Sequence, residues 1–260
     1  MLTLSETIVQ AKAARGGAVI GYLPLGFPDL GTSIEAAKVL YSSGFDVVEL
    51  GIPYSDPVMD GEIIQQATTQ ALAQGFRLKD VFPAVAAIRA VTDKPIVLMS
   101  YWNPILQYGP KAFAAEFKAA GGNGIITPDL IPDEAALWFE AADKHGLDKI
   151  FLAAPSSSAA RLSLVQNSGS GFVYAVSTMG VTGARAEVDQ AAQALVSRIR
   201  RSGELPVCVG VGISNATQVQ EVLNYADGAI VGTALVRALR DGGIEQLRSL
   251  AEELSGKKTA

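Results

Sequence analysis

Short runs of β-branched and other apolar residues recur along the chain, nearly every one followed by a helix-length segment. That alternation restricts the possible folds more than any other feature. The strand-like runs cover 18–23, 46–50, 95–99, 124–127, 149–153, 171–176, 206–211 and 228–231. Amphipathic stretches lie between them, among them 31–43, 110–120, 133–145, 188–201 and 216–224, and a long one over about 234–254 ends the series. Strand runs that are mostly apolar read as strands covered on both faces. Eight such βα units in 260 residues fit an α/β chain folded as a single (β/α)8 TIM barrel domain over 1–260. An extra helix is expected at the N-terminus, in MLTLSETIVQAKAARGG with Ser5 as its cap, and another near 78–90 in the loop after the second strand. A doubly wound sheet is the alternative. It usually has fewer strands and a glycine fingerprint after the first, where this chain has Leu23-Pro24-Leu25-Gly26.

Charge and cysteine content narrow the setting. A formal charge of −5, with no Lys/Arg run beyond Arg200-Arg201 and Lys257-Lys258, argues against a nucleic-acid surface. The N-terminal stretch lacks the apolar region of a secretory signal and no spanning segment follows, so neither secretion nor membrane insertion is expected. The single Cys208, between Val207 and Val209, reads as a buried strand residue in a reducing cytoplasm.

The stretch VELGIPYSDPVMDG (48–61) concentrates the chemistry. A strand pattern through Leu50 stops at Gly51 and Pro53, and three carboxylates, Glu49, Asp56 and Asp60, fall within twelve residues. One acid sits at a strand end and two lie in the stiff loop that follows. Carboxylates in different surroundings hold different protonation states, which acid–base catalysis requires. In a barrel the chemistry lies at the C-terminal strand ends. These offer Tyr22, Glu49, Tyr101 with Asn103, Asp129, residues 156–158, Tyr174 with Ser177, Gly210 with Gly212, and Gly232 with Thr233. VGVGIS (209–214) and IVGTA (230–234) follow the last two strands, where such barrels commonly hold a phosphate. Glycine lets backbone N–H groups approach an anion, and a helix starting near Thr233 would add its positive end. Taken singly, each is equally an ordinary tight turn. GVTGAR (180–185), after the sixth strand, reads either as a lid or as a plain flexible loop.

Missing residues narrow the reaction further. The only histidine, His145, lies at a helix end in DKHG, and with one His and one Cys no His-based zinc site can be built. Lys94 and Lys149 precede their strands, so no lysine stands at a C-terminal strand end for Schiff-base or pyridoxal chemistry. Carboxylate acid–base catalysis on a small phosphorylated substrate remains, in a pocket with Tyr22, Tyr101 and Tyr174.

Over almost its whole length the chain closely resembles the tryptophan synthase alpha subunit family. The resemblance is carried by GYLPLGFP (21–28), VELGIPYSDPVMDG, SYWNP (100–104), PDLIPDE (128–134), APSSS (154–158), GFVYAVSTMGVTGAR (171–185), VGVGIS and ADGAIVGTA (226–234). It implies a barrel that cleaves indole-3-glycerol phosphate to indole and glyceraldehyde 3-phosphate. It also implies a β-subunit partner that carries pyridoxal phosphate and receives indole through a tunnel in an αββα complex, with no cofactor in this chain. By position, Glu49 matches the acid/base that protonates C3 of the indole, Asp60 the acid facing the indole N–H, and Tyr174 the active-site tyrosine. Gly183, Gly212, Gly232 and Thr233 match phosphate-holding positions, and Thr182 the lid threonine that closes over Asp60. Asp56 matches the loop facing the β subunit. Tyr22 (in place of a phenylalanine), Tyr101 and Asp129 match the indole pocket or its wall. Departures are Thr178-Met179 where some members carry Arg, Met59 for Ala and Glu62 for Pro. Two other readings stay open: a free-standing indole-releasing lyase, and a barrel without catalysis that only activates the β subunit.

Overall fold

The computed structural model describes residues 2–176, 185–210 and 212–257. In chain order the elements are α1 (Leu4–Arg15), β1 (Ala18–Pro24), α2 (Leu30–Ser42), β2 (Val47–Gly51), α3 (Glu62–Ala73), α4 (Val81–Arg89), β3 (Ile96–Met99), α5 (Trp102–Tyr108), α6 (Pro110–Ala119), β4 (Gly124–Ile126), α7 (Ala136–His145), β5 (Asp148–Ile150), β6 (Leu152–Ala153), α8 (Ala159–Ser168), β7 (Val173–Val176), α9 (Arg185–Arg200), β8 (Val207–Gly210), α10 (Ala216–Leu223), β9 (Gly228–Val231) and α11 (Thr233–Ser255). All strand pairings are parallel, in the order β5-β4-β3-β2-β1-β9-β8-β7-β6. The fifth expected strand is broken at Phe151 into β5, which pairs with β4, and β6, which pairs with β7. The two ends of the sheet are therefore joined through one residue, and the sheet nearly closes into the expected barrel.

Alternation along the strands separates two apolar layers. Val19, Val48, Leu50, Ile96, Leu98, Ile125, Val173, Val207 and Val209 pack outward with the helices. Ile20, Val47, Val97, Ile126, Ile150, Phe172, Cys208 and Ile230 fill the interior with Leu4, Ile8 and Ala11 of α1. α1 thus plugs the end of the barrel where the strands begin. Full burial of Leu4 and Ile8 contributes roughly 1.5–3 kcal/mol each. Cys208 lies in this interior, as expected, and burial pushes its thiol pKa up.

Helix boundaries reveal what the periodicity missed. The cap of α1 is Thr3 rather than Ser5: Thr3 Oγ1 accepts the Glu6 N–H at 3.2 Å and Glu6 Oε2 accepts the Thr3 N–H at 2.8 Å. The spacing Thr-x-x-Glu satisfies two backbone donors reciprocally, which Ser5 has no partner to do. Three helices lie in connections where no amphipathic stretch was singled out: α3, α5 and α8. α5 contains Pro104, which is tolerated because it falls in the first turn, where its missing N–H has no helical partner to lose. The expected extra helix at 78–90 is present as a 3-10 turn, Leu78–Asp80, leading into α4. α11 bends at Gly242 and Gly243, the latter at φ 64°. Among the described residues no helix is long and apolar enough to cross a membrane.

Candidate active site

β2 carries Glu49 on the same face as Val47, so its side chain points into the barrel, two residues before the strand ends at Gly51. It is 0 % exposed, and neither carboxylate oxygen has a hydrogen-bond partner. An ionised carboxylate left without partners in an apolar interior is costly, so the group holds its proton. Burial, and then the neighbouring Asp60, raise its pKa to about 8. Asp60 lies at the end of the loop after β2, and burial alone raises it to about 6. Glu49 is therefore the weaker acid of the two. The loop acid, however, is more enclosed than a surface position would be.

That loop is held by groups from three elements. Tyr101 Oη, just after β3, accepts the Met59 N–H at 2.8 Å, and the Tyr54 ring packs against Tyr101 at 5.2 Å between centroids. Asn103 donates to Tyr54 Oη at 3.2 Å. Gln65, in α3, donates to the carbonyl oxygens of Asp60 at 2.8 Å and of Pro57 at 3.4 Å. Gln65 was invisible in the sequence because α3 itself was read as loop. Asp129 accepts the Trp102 N–H with both carboxylate oxygens, at 2.9 and 3.1 Å. It therefore anchors the start of α5 beside Tyr101.

Tyr22 faces Glu49 across the β1–β2 pairing, and burial, then the charges of Asp60 and Glu49, push its hydroxyl pKa up. Tyr174, on β7, is pushed up by burial and then by Glu49. Tyr101 is pushed up to about 12 by burial and then by Asp60. The structure thus brings Tyr22, Glu49, Asp60, Tyr101 and Tyr174 into one enclosed group. Asp56 stands apart, exposed on the outer side of the loop with Ser55 Oγ donating to it at 2.6 Å.

The two glycine turns differ. Asn215 caps α10 by accepting the Gln218 N–H, and Gln218 Oε1 takes both the N–H and the hydroxyl of Ser214. Gly212, at φ 69°, has open space around it. α11 starts at Thr233 with Gly232 before it and no side-chain cap, so its first N–H groups have no partner within the helix. The uncapped terminus, with exposed Thr233 beside it, is the stronger anion position of the two. Thr182 and Gly183, and with them most of the expected lid, lie outside the described residues. Among the described residues no cluster of three or more His, Cys, Asp or Glu could hold a metal ion.

Two carboxyl groups of unequal acidity lie with three tyrosines in the mouth of a nearly closed parallel barrel, the arrangement of a (β/α)8 protein with a candidate acid–base site. Its particular lineage follows from comparison: residues 8–259 match the family described as tryptophan synthase alpha chain, and the chain belongs to that family. It is 57 % identical to the tryptophan synthase alpha chain of Leifsonia xyli subsp. xyli over 98 % of each chain. Identity to that of Mycobacterium avium is 52 %, over 96 % of each. The structure of Mycobacterium tuberculosis tryptophan synthase matches with a TM-score of 0.92 at 49 % identity, covering 97 % of this chain and 96 % of that one. Tryptophan synthase subunit alpha from Legionella pneumophila matches with a TM-score of 0.90 at 32 % identity, over 98 % of each.

Proposed function

We propose that this chain cleaves indole-3-glycerol phosphate by retro-aldol chemistry, with Glu49 as proton donor and Asp60 as the counter-charge. The family's reaction is that carbon–carbon cleavage, a step of tryptophan biosynthesis. The observation that carries the residue assignment is the buried Glu49 carboxyl with both oxygens unpartnered. A proton on it has no competing acceptor and is available to the substrate.

The steps follow from the two acidities. At neutral pH Glu49 is protonated and Asp60 largely ionised. Glu49 gives its proton to C3 of the indole, and Asp60 stabilises the positive charge that spreads to the ring N–H. The Glu49 carboxylate then takes the proton of the glycerol hydroxyl. As that carbonyl forms, the carbon–carbon bond breaks and its electrons return to the ring, releasing indole and glyceraldehyde 3-phosphate. Tyr174, Tyr22 and Tyr101 wall the indole, with Asp129 behind Tyr101. Gly212, Gly232 and Thr233 take the phosphate, joined by Gly183, while Thr182 belongs to the lid.

The chain acts with a β subunit in an α2β2 assembly, and the exposed side of the acid loop, with Asp56 and 78 %-exposed Val58, suits that contact. It needs no cofactor of its own, pyridoxal phosphate belonging to the partner, and a cytoplasmic setting agrees with its one buried thiol. Incubation with indole-3-glycerol phosphate, with and without β subunit, tests the reading. Indole release that the partner raises is expected. Release unaffected by the partner would point to a free-standing lyase, and none in either case to a non-catalytic activator. The kcat/KM profile should be bell-shaped. Protonation of Asp60 removes activity below about pH 6, and ionisation of Glu49 removes it above about pH 8.

A further inference from the structure

The turn that ends in Asp60 is tied to the helix that follows it. Within the turn the Asp60 N–H donates to the Pro57 carbonyl at 3.0 Å. That Pro57 oxygen and the Asp60 carbonyl oxygen both accept from one atom of α3, Gln65 Nε2, at 3.4 and 2.8 Å. A primary amide carries two hydrogens, so one side chain serves both carbonyls. Between them in the chain, the Met59 N–H is taken by Tyr101 Oη at 2.8 Å. The Asp60 carboxyl is therefore carried on a pinned backbone. An exposed glutamine on α3 does not do this by default. Gln66, exposed like Gln65, donates to Glu62 Oε1 one turn back in its own helix, at 3.2 Å. Gln65 leaves its helix instead, while its main-chain N–H makes the first bond of that helix, to the Gly61 carbonyl at 2.9 Å.

We propose that Gln65 is a positioning residue for the cleavage reaction: by bridging the Pro57 and Asp60 carbonyls it holds the Asp60 carboxyl where the positive charge of the indole develops. It acts only through the main chain of the acid loop. A charge aimed at a developing cation contributes most when it is already in place, and a displacement of about 1 Å can cost on the order of 10²-fold in rate. Holding the loop also keeps Asp60 away from water, and that burial is what raises its pKa to about 6. The titratable groups around Asp60 are Glu49 of β2, Tyr22 of β1, Tyr101 after β3 and Tyr174 of β7, and none of them is a cation. Burial thus sets its acidity, and release of the loop lowers the pKa.

This inference rests on the proposed role of Asp60 as the counter-charge, and its test separates the two. Gln65→Met keeps the length of the side chain and removes both donors. With saturating β subunit and indole release as readout, kcat should fall roughly tenfold. KM should stay within about twofold, because the bonds lost serve the transition state. The acid limb of kcat/KM should move down by about half a pH unit, since a loosened Asp60 regains water. Gln66→Met should change neither. Gln65→Glu should resemble Gln65→Met at neutral pH, because a carboxylate accepts and cannot donate. Parent-like kcat in Gln65→Met or Gln65→Glu, an equal loss in Gln66→Met, or a loss with the acid limb unmoved overturns the inference. Should Gln65→Met not fold, Gln65→Glu, which keeps a polar group on that exposed surface, decides by the same two readouts. An active Asp60→Asn sinks the underlying reading. An inactive one beside a parent-like Gln65→Met sinks only the clamp.

Discussion

At the two ends of this barrel the same kind of side chain is treated in opposite ways. Where the strands begin, Asp46 precedes β2 and Asp227 precedes β9, and each is saturated with donors. Asp46 accepts the Val19 N–H at 2.8 Å and pairs with Arg15 of α1. Asp227 accepts the Val207 N–H at 2.8 Å and pairs with Lys12 of α1 and, at 2.9 Å, with Arg200 of α9. Each also exchanges a main-chain bond with the residue that its carboxylate holds: Asp46 N–H to Val19 and Asp227 N–H to Val207. The two aspartates thus fasten the plug helix to the sheet by one repeated device. Where the strands end, Glu49 is more deeply buried than either and has no partner at all. Satisfied carboxylates hold the fold together, whereas the unsatisfied one costs stability and, in the proposed mechanism, carries the proton given to the substrate.

Breaking the upper half of this comparison should give the largest effect. Glu49→Gln keeps the shape and removes the proton, so turnover should fall by roughly 10²–10⁴, read from indole release. Its stability should move the other way. The Glu49 carboxyl has an ordinary pKa of 4.5 in the unfolded chain and one of about 8 in the folded chain. Between these values the folded chain holds a proton that the unfolded chain has lost, so the parent loses stability as pH rises through that window. The variant has no such group, and its advantage in chemical denaturation should grow from about pH 5 to about pH 9, reaching on the order of a few kcal/mol. An advantage that stays flat with pH would mean the carboxyl is not strained by its burial.

The lower half should respond in reverse. Asp227→Asn leaves the Lys12 and Arg200 cations without their anion, but both side chains are over 40 % exposed, so water relieves much of the loss. What remains is mainly the charge-assisted bond to the Val207 N–H, so urea denaturation should show a loss of about 1–3 kcal/mol. Turnover in the folded protein should stay near the parent's, since the aspartate lies at the opposite end from the acids. A tenfold fall in turnover without a fall in stability would dissolve the division between the two ends.

The sequence disclosed these halves unequally. Seven of the eight strand runs survive as single strands because near-continuous apolar runs reflect burial on both faces, a local property. The break at Phe151 was hidden, since it depends on how the last and first edges meet. The cluster of Glu49, Asp56 and Asp60 stood out because loop stiffness and the lack of other catalytic side chains isolate it, and the family resemblance then singled out Glu49 and Asp60. Gln65 was not: its task is to hold two carbonyl groups of a loop, which needs only an amide on a helix that the pattern failed to announce. The matched roles of Asp46 and Asp227 were hidden as well. Asp46 read as the polar start of a strand, and its equivalence to Asp227 exists only once the strands are placed side by side.

The smallest effect sharpens the comparison further. Thr3 and Glu6 close the first turn of α1 with two reciprocal bonds on an exposed surface. Thr3→Ala removes the side-chain half of this box, which typically costs about 1 kcal/mol. For a chain of this size that corresponds to a fall in Tm of roughly 2–4 °C. Because α1 reaches the barrel through Leu4, Ile8 and its two ionic ties, fraying its first turn should leave the mouth untouched. The pH profile of turnover should therefore superimpose on the parent's while the thermal midpoint falls. If the profile shifted instead, the plug would be coupled through the interior layer of Val47 and Cys208 to Glu49, and the two ends would form a single cooperative device.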